Sequence, residues 1–324
     1  MRLWLLAALL LSAASLAARL QPIPPEQQAV AFLAREVPRW RREHPCYSCH
    51  NNGDGARALI AASRRGLGDA ARITDAVAWL RTPERWAQNS EDGGVKDLPL
   101  ARIQFSGALA SLVEAGTADR VALSRAAALV VADQRPDGSW PINAAATIGS
   151  PAAYGTPLAT AMARRALVTA GGADAAAAVS RADGWFRAFE PQSVLDASAS
   201  LLGLGVADDE PAAVRRRESL QLLKRGQAPD GGWGPYATSP SEPFDTALAL
   251  LALMPLRDAD ALTQPAYAAG GLRAAIEKGR AYLLQQQNAD GSWPETTRPA
   301  GQDSYAQRIS TTGWSLLALL ETGP

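Results

Sequence analysis

Three short stretches of this chain obey one pattern. QRPDGSW at 134–140, QAPDGGW at 227–233 and QNADGSW at 287–293 all read Q-x-x-D-G-[SG]-W, with Gln and Trp six positions apart each time. Each copy ends an amphipathic helical run such as RVALSRAAALVVADQ, and Asp-Gly is turn chemistry that stops a helix. The chain therefore repeats a unit in which a helix ends at Gln, turns on Asp-Gly and folds Trp back onto a neighbour. Degenerate copies fill the gaps: Trp185 lies 45 residues after Trp140 and 48 before Trp233, and Trp86 lies 54 before Trp140. Such a period has room for two helices.

The second helix of each period can be aligned as well. Six Ala- and Leu-rich runs with few charges begin near Gly55, Ser106, Tyr154, Leu195, Phe244 and Thr312, as helices buried on most sides should. More polar helices alternate with them over 27–43, 69–82, 120–134, 173–188, 212–227 and 271–287. The expected fold is all-α, a single domain over 19–324 with about six inner and six outer helices.

The Q-x-x-D-G-x-W copies resemble the QW repeats of the squalene-hopene cyclase and prenyltransferase superfamily. That resemblance implies an α/α toroid of two concentric helix rings, and it covers nearly the whole chain after residue 18. It leaves the activity open, because one fold carries many chemistries. The superfamily's protonating Asp-x-Asp-Asp motif does not occur here; Asp245 in EPFDTA and Asp196 in SVLDAS stand alone. A prenyltransferase-type zinc site drawn from separate repeats is excluded, since both cysteines and both histidines lie within residues 44–50. The Cys-Gly-Glu-Gln stretch of thioester proteins is also missing.

That clustering makes the segment 44–52, HPCYSCHNN, the chain's second constraint. Cys46-x-x-Cys49-His50 is the pattern by which c-type haem is attached: two thiols form thioethers and the adjacent imidazole, His50, ligates the iron. The segment resembles the attachment site of c-type cytochromes, which implies covalent haem c. A Cys46–Cys49 disulfide and a zinc site of His44, Cys46, Cys49 and His50 are the alternatives, the latter cramped within seven residues. The sixth iron position falls to Met162 or Met254, or to water; each methionine lies in an inner run where core filling is the commoner role.

Residues 1–18 read as a cleaved export signal: Arg2, an apolar run through Leu11, then small residues around Ala17 and Ala18. The apolar run is shorter than the ~20 residues that span a bilayer, so no membrane span is expected in the mature chain. A periplasmic or secreted location follows, which suits haem attachment. Lys+Arg and Asp+Glu are each 32, so no basic field for nucleic acid exists.

Asp196 and Asp245, near the starts of consecutive inner runs, suit helix capping or ligand and proton handling. Tyr154, Thr246 and Trp314 hold comparable places and are candidate pocket residues. Parallel inner helices gather their starts on one face, so His50 is expected to share a mouth of the toroid with Asp196, Asp245, Tyr154 and Thr246. Two functions are compatible with these readings. One is an exported haem c protein with an electron-transfer or small-ligand role and a redox partner. The other is a terpenoid- or prenyl-handling enzyme, or a lipid-binding protein, that takes a small hydrophobic ligand in the toroid.

Overall fold

The structure is a computed structural model. It describes residues 23–44, 46–68, 70–89, 97–117, 119–142, 155–264, 266–296 and 304–323. The proposed signal at 1–18 and Tyr154 lie outside the described residues.

The helices in chain order are α1 (Pro25–Glu43), α2 (Ala56–Arg64), α3 (Thr74–Leu80), α4 (Leu98–Glu114), α5 (Arg120–Ala132), α6 (Thr156–Ala170), α7 (Ala173–Ala188), α8 (Val194–Leu204), α9 (Glu210–Gly226), α10 (Pro243–Leu253), the one-turn α11 (Asp260–Thr263), α12 (Gly271–Gln286) and α13 (Tyr305–Thr322). Among the described residues the nearest thing to a strand is an isolated bridge between Gln227 and Trp233. No described helix is long and apolar enough to cross a membrane.

Burial divides these helices into two rings. Along α10 every residue from Pro243 to Leu250 is buried, whereas α7 buries only Ala175, Ala178, Ala182 and Phe186, a single stripe at helical spacing. The inner helices α2, α4, α6, α8, α10 and α13 each pack on the next, and α13 returns to α2, closing the ring. The outer ring is α1, α3, α5, α7, α9 and α12. One apolar cluster runs from Ala29 to Leu320 through both rings.

The expected all-α double ring is thus present, with shifted boundaries. The polar run at 69–82 is a 3-10 turn, Ala70–Ile73, followed by the short α3. Ser106 and Thr312, expected near inner-helix starts, fall well inside α4 and α13. Polar residues at the front of those helices are tolerated because the toroid buries a polar layer there.

Outer helices join inner ones through the repeated turn, whose geometry is the same three times. The indole Nε1 of Trp140, Trp233 and Trp293 donates to the carbonyls of Val130, Leu223 and Leu283, at 2.7, 2.7 and 2.8 Å. The backbone N–H of each Trp donates to a threonine hydroxyl on the inner helix that follows: Thr160, Thr246 and Thr312, at 3.1, 2.8 and 3.1 Å. Each Gln amide spans the turn, donating to the glycine carbonyl four residues on and to the next outer helix. Gln134 reaches Ala178 at 2.9 Å, Gln227 reaches Ala275 at 2.8 Å, and Gln287 reaches Pro25 at 2.9 Å. The last of these joins the final turn to the first outer helix.

Glycine is obligatory in these turns. Gly138, Gly231 and Gly291 have φ of 96°, 90° and 89°, a region L-residues avoid. A Cβ on Gly291 would also stand 2.2 Å from the Gln28 carbonyl oxygen. All three tryptophans are fully buried. Replacing Trp233 by Ala should therefore cost about 3–5 kcal/mol, as large aromatic truncations in cores do, read as a lowered urea midpoint.

Candidate functional site

Residues 46–55 form the entry to the inner ring at the N-terminal end of α2. Cys49–Gly55 is a π-helical turn, a wide coil that occurs often at functional sites. Ser48 caps it: its Oγ accepts from the backbone N–H groups of His50 and Asn51, at 3.2 and 3.0 Å. The second thiol and the imidazole therefore sit on the first turn of a helix. Both cysteines are free, so the disulfide alternative is not formed in this structure. The Trp40 indole N–H donates to Cys46 Sγ at 3.3 Å.

Burial pushes the Cys49 thiol up to about 12, with the nearby charge of Asp54 adding to it. Burial also lowers His50 to about 4, so its imidazole is neutral at pH 7, the form that binds a metal. Nδ1 of His50 lies 3.3 Å from Ser48 Oγ, and Nε2 lies 3.9 Å from Cys49 Sγ. Two free thiols and a neutral, oriented imidazole fit the donor set that holds haem c. The cramped zinc alternative is not assembled: among the described residues no three Cys, His, Asp or Glu side chains converge as a metal site requires.

The same segment directs buried polar groups at the helices packed around it, α1, α4 and α13. Asn51 Nδ2 donates to the Glu36 carbonyl and to the Tyr305 hydroxyl, both at 2.9 Å. Asn52 Oδ1 accepts from Ser48 N–H at 2.9 Å. The Asp54 carboxylate, 1% exposed, accepts from Gln104 Nε2 at 3.1 Å and Ser310 Oγ at 2.9 Å. Gly313 lets α13 approach this coil so closely that a Cβ there would lie 3.0 Å from the Asp54 carbonyl oxygen. The N-terminal end of α2 is thus held to α1, α4 and α13 by a buried polar layer.

The lumen opens into a cavity of about 410 Å³ to which all six inner helices contribute. Arg57, Ala61 and Arg64 come from α2, Ser111 and Glu114 from α4, Met162 and Arg165 from α6, Leu202 from α8, Leu251 from α10, and Trp314, Leu317 and Glu321 from α13. Met254 and Pro255 follow α10. Apart from Arg57, these residues belong to the middle or the C-terminal ends of their helices, so the cavity occupies the tier opposite the Cys46–His50 segment. The volume is within the range of small-molecule sites, about 300–1,000 Å³.

The placement of the candidate residues follows from these two tiers. Trp314, Met162 and Met254 line the cavity, which His50 does not. The Met162 sulfur accepts from Arg57 Nη1 at 3.4 Å, and Met254 stands past the C-terminal end of α10, away from the His50 end of the ring. The structure does not bring either methionine to His50. Asp196 caps α8: its carboxylate accepts from the Gln192 and Ser193 backbone N–H groups, both at 3.0 Å, while Ser193 Oγ accepts from Asp196 N–H. Asp245 is buried in the first turn of α10, at 1% exposure. The Thr246 hydroxyl is committed to the Trp233 backbone, whose carbonyl it also donates to at 3.2 Å. His50, Asp196, Asp245 and Thr246 do lie at the N-terminal end of the ring, but the ligand-sized cavity is at the other end.

Sequence reasoning missed Arg57 and Arg165. Arg57 is 5% exposed and stacks on Trp314, its Cζ 4.1 Å from the ring centre. Arg165 pairs with Glu114 at 2.6 Å. Burial holds its guanidinium below the usual range, opposed by Glu114 and reinforced by the charge of Arg57. The signal was an arginine at a position that the inner-helix pattern buries, in GARALIAASRRG and ATAMARRALV.

Compared by sequence, the chain matches no family model and no curated protein. Its fold is similar to that of a type II terpene cyclase, MstE R337A from Scytonema, in complex with geranylgeranyl dihydroxybenzoate. The TM-score is 0.55 at 15% identity, over 92% of this chain and 96% of that one. A protein from Actinoplanes is similar at a TM-score of 0.52 and 18% identity, over 84% and 90% of the two chains. A polysaccharide lyase is similar at 0.50 and 13%, over 92% and 97%. The likeness is one of fold: a helical toroid of the type II terpene cyclase kind.

The shifted Cys49 thiol has a measurable consequence. At pH 8 an ordinary thiol near 8.5 is partly thiolate, whereas Cys49 is almost wholly protonated. Iodoacetamide should label Cys49 at least about tenfold more slowly in the folded chain than in urea, as followed by peptide mass spectrometry.

Proposed function

We propose that the chain binds a small apolar ligand of the terpenoid class in the cavity ringed by its inner helices. The observation that carries this reading is the cavity itself, walled by all six inner helices and lined by Ala61, Met162, Leu202, Leu251, Met254, Trp314 and Leu317. The type II terpene cyclase of similar fold holds geranylgeranyl dihydroxybenzoate, a prenyl chain on an aromatic acid. Binding is favoured over cyclisation by protonation. The chain has no Asp-x-Asp-Asp stretch, and the acids that line the cavity, Glu114 and Glu321, are engaged by Arg165 and Arg65. Farnesol should bind the purified chain in calorimetric titration, and Leu251→Trp, which fills the cavity, should weaken it at least about tenfold, since an overfilled site loses the ligand's packing. No heat of binding to a folded chain would sink the reading.

A second reading concerns the other end of the ring and has its own observation, the free thiols of Cys46 and Cys49 beside the neutral imidazole of His50 on one helix start. These residues would hold one covalent haem c. Bound there, the group would supply electron transfer to a redox partner or binding of a small ligand at iron. Attachment outside the cytoplasm accords with the export signal read at 1–18. Expressed with haem-attachment machinery, the chain should show an intact mass higher by one haem, and Cys49→Ala should lower that yield. An unmodified mass from a competent host would refute it.

A further inference from the structure

Arg57 and Arg165 both line the central cavity, and neither guanidinium is fully satisfied. Arg57 donates only through Nη1, to the Met162 sulfur, while its buried Nε and Nη2 have no hydrogen-bond partner. Arg165 uses Nη2 on Glu114 and Ser111, and its buried Nη1 likewise has none. Unmade hydrogen bonds on buried polar atoms are expensive, and three such nitrogens, from α2 and α6 on either side of α4, border one cavity. The Nε and Nη2 groups of a guanidinium share an edge, and that edge is the fork that meets both oxygens of a carboxylate.

We infer that the ligand of this cavity is an apolar chain ending in a carboxylate, with the Nε–Nη2 edge of Arg57 as its anchor and Arg165 as the second contact. This deepens the apolar-ligand reading above and rests on it. Stacking on Trp314 and the contact with Met162 hold Arg57 in the cavity wall, so the head group is met by a cation that is already ordered. The apolar body lies against Ala61, Leu202, Leu251 and Leu317. A head of single charge suits the site better than a diphosphate, because Glu114 and Glu321 also line the cavity and would repel a multiply charged group.

Farnesoate and farnesol share one chain and differ only at the head. Titrated calorimetrically into the full chain at pH 8, farnesoate should bind at least about tenfold more tightly, the scale expected of hydrogen bonds to a charged group. Arg57→Gln should narrow that preference to below about twofold. Arg57→Lys keeps the charge and loses the fork; it should reduce the preference at least about threefold and provides the test if the Gln variant does not fold. Equal binding of the two probes by the unaltered chain would overturn the acidic head while leaving the apolar ligand in place. Failure of both probes to bind would overturn the two together. A preference unchanged in the folded variants would remove Arg57 from the anchor.

Discussion

Everything in this toroid depends on a glutamine amide that touches two helices at once. In each repeated turn the Gln side chain holds its own glycine carbonyl and a backbone carbonyl of the next outer helix. Covalent order thus becomes circular order: Gln134 fixes α7, Gln227 fixes α12, and Gln287 takes the Pro25 carbonyl at the start of α1. Beside that last contact, Arg280 pairs with Glu26 at 2.7 Å, so the two ends of the outer ring are joined by charge as well as by an amide. Buried tryptophans and their threonine partners tie the outer ring to the inner one. The interior is then enclosed without a single β-sheet among the described residues.

Closing a ring of six helices leaves a lumen, and this chain treats its two tiers differently. At the end where inner helices begin, first-turn backbone N–H groups need acceptors, and Ser48, Asn51, Asn52 and Asp54 create a layer of mutual hydrogen bonds. At the other end, the side chains that face the lumen are Leu, Ala, Met and Trp, with arginines at the wall, and space remains. Helix α2 begins just after the Cys46–His50 segment and supplies Arg57, Ala61 and Arg64 to the cavity at the opposite tier.

The ring architecture was legible in the sequence because its determinants are local and repeated. Gln, Asp-Gly and Trp recur at fixed offsets, and burial all round a helix leaves an Ala- and Leu-rich, charge-poor run. Helix starts were less legible. Ser106 and Thr312 mark where each run turns apolar, yet α4 and α13 extend back through polar residues such as Gln104 and Ser310, which pair with Asp54 across the lumen. Such pairs, 50 and 256 residues apart in sequence, leave no periodic trace. Thr246 illustrates the same limit: a hydroxyl at a lumen-end position looked available, but its partner is the backbone of Trp233, whose position only the folded turn defines. Arg57 stood in plain view as a charge inside a buried pattern, but its setting is made by Met162 from the middle of the chain and Trp314 from near its end.

The meeting of α13 with the 49–55 coil, where Gly313 lies against Asp54, has a consequence for assembly. The last inner helix supplies Tyr305 and Ser310 to the polar layer around the coil and Trp314, Leu317 and Glu321 to the cavity. Until that helix docks, the lumen is an open crescent, its polar layer is missing a wall, and Asp54 faces solvent on one side. Neither tier exists as a partial structure. Their formation waits on contacts between residues more than 250 positions apart, which places this fold among topologies whose closure is late and cooperative.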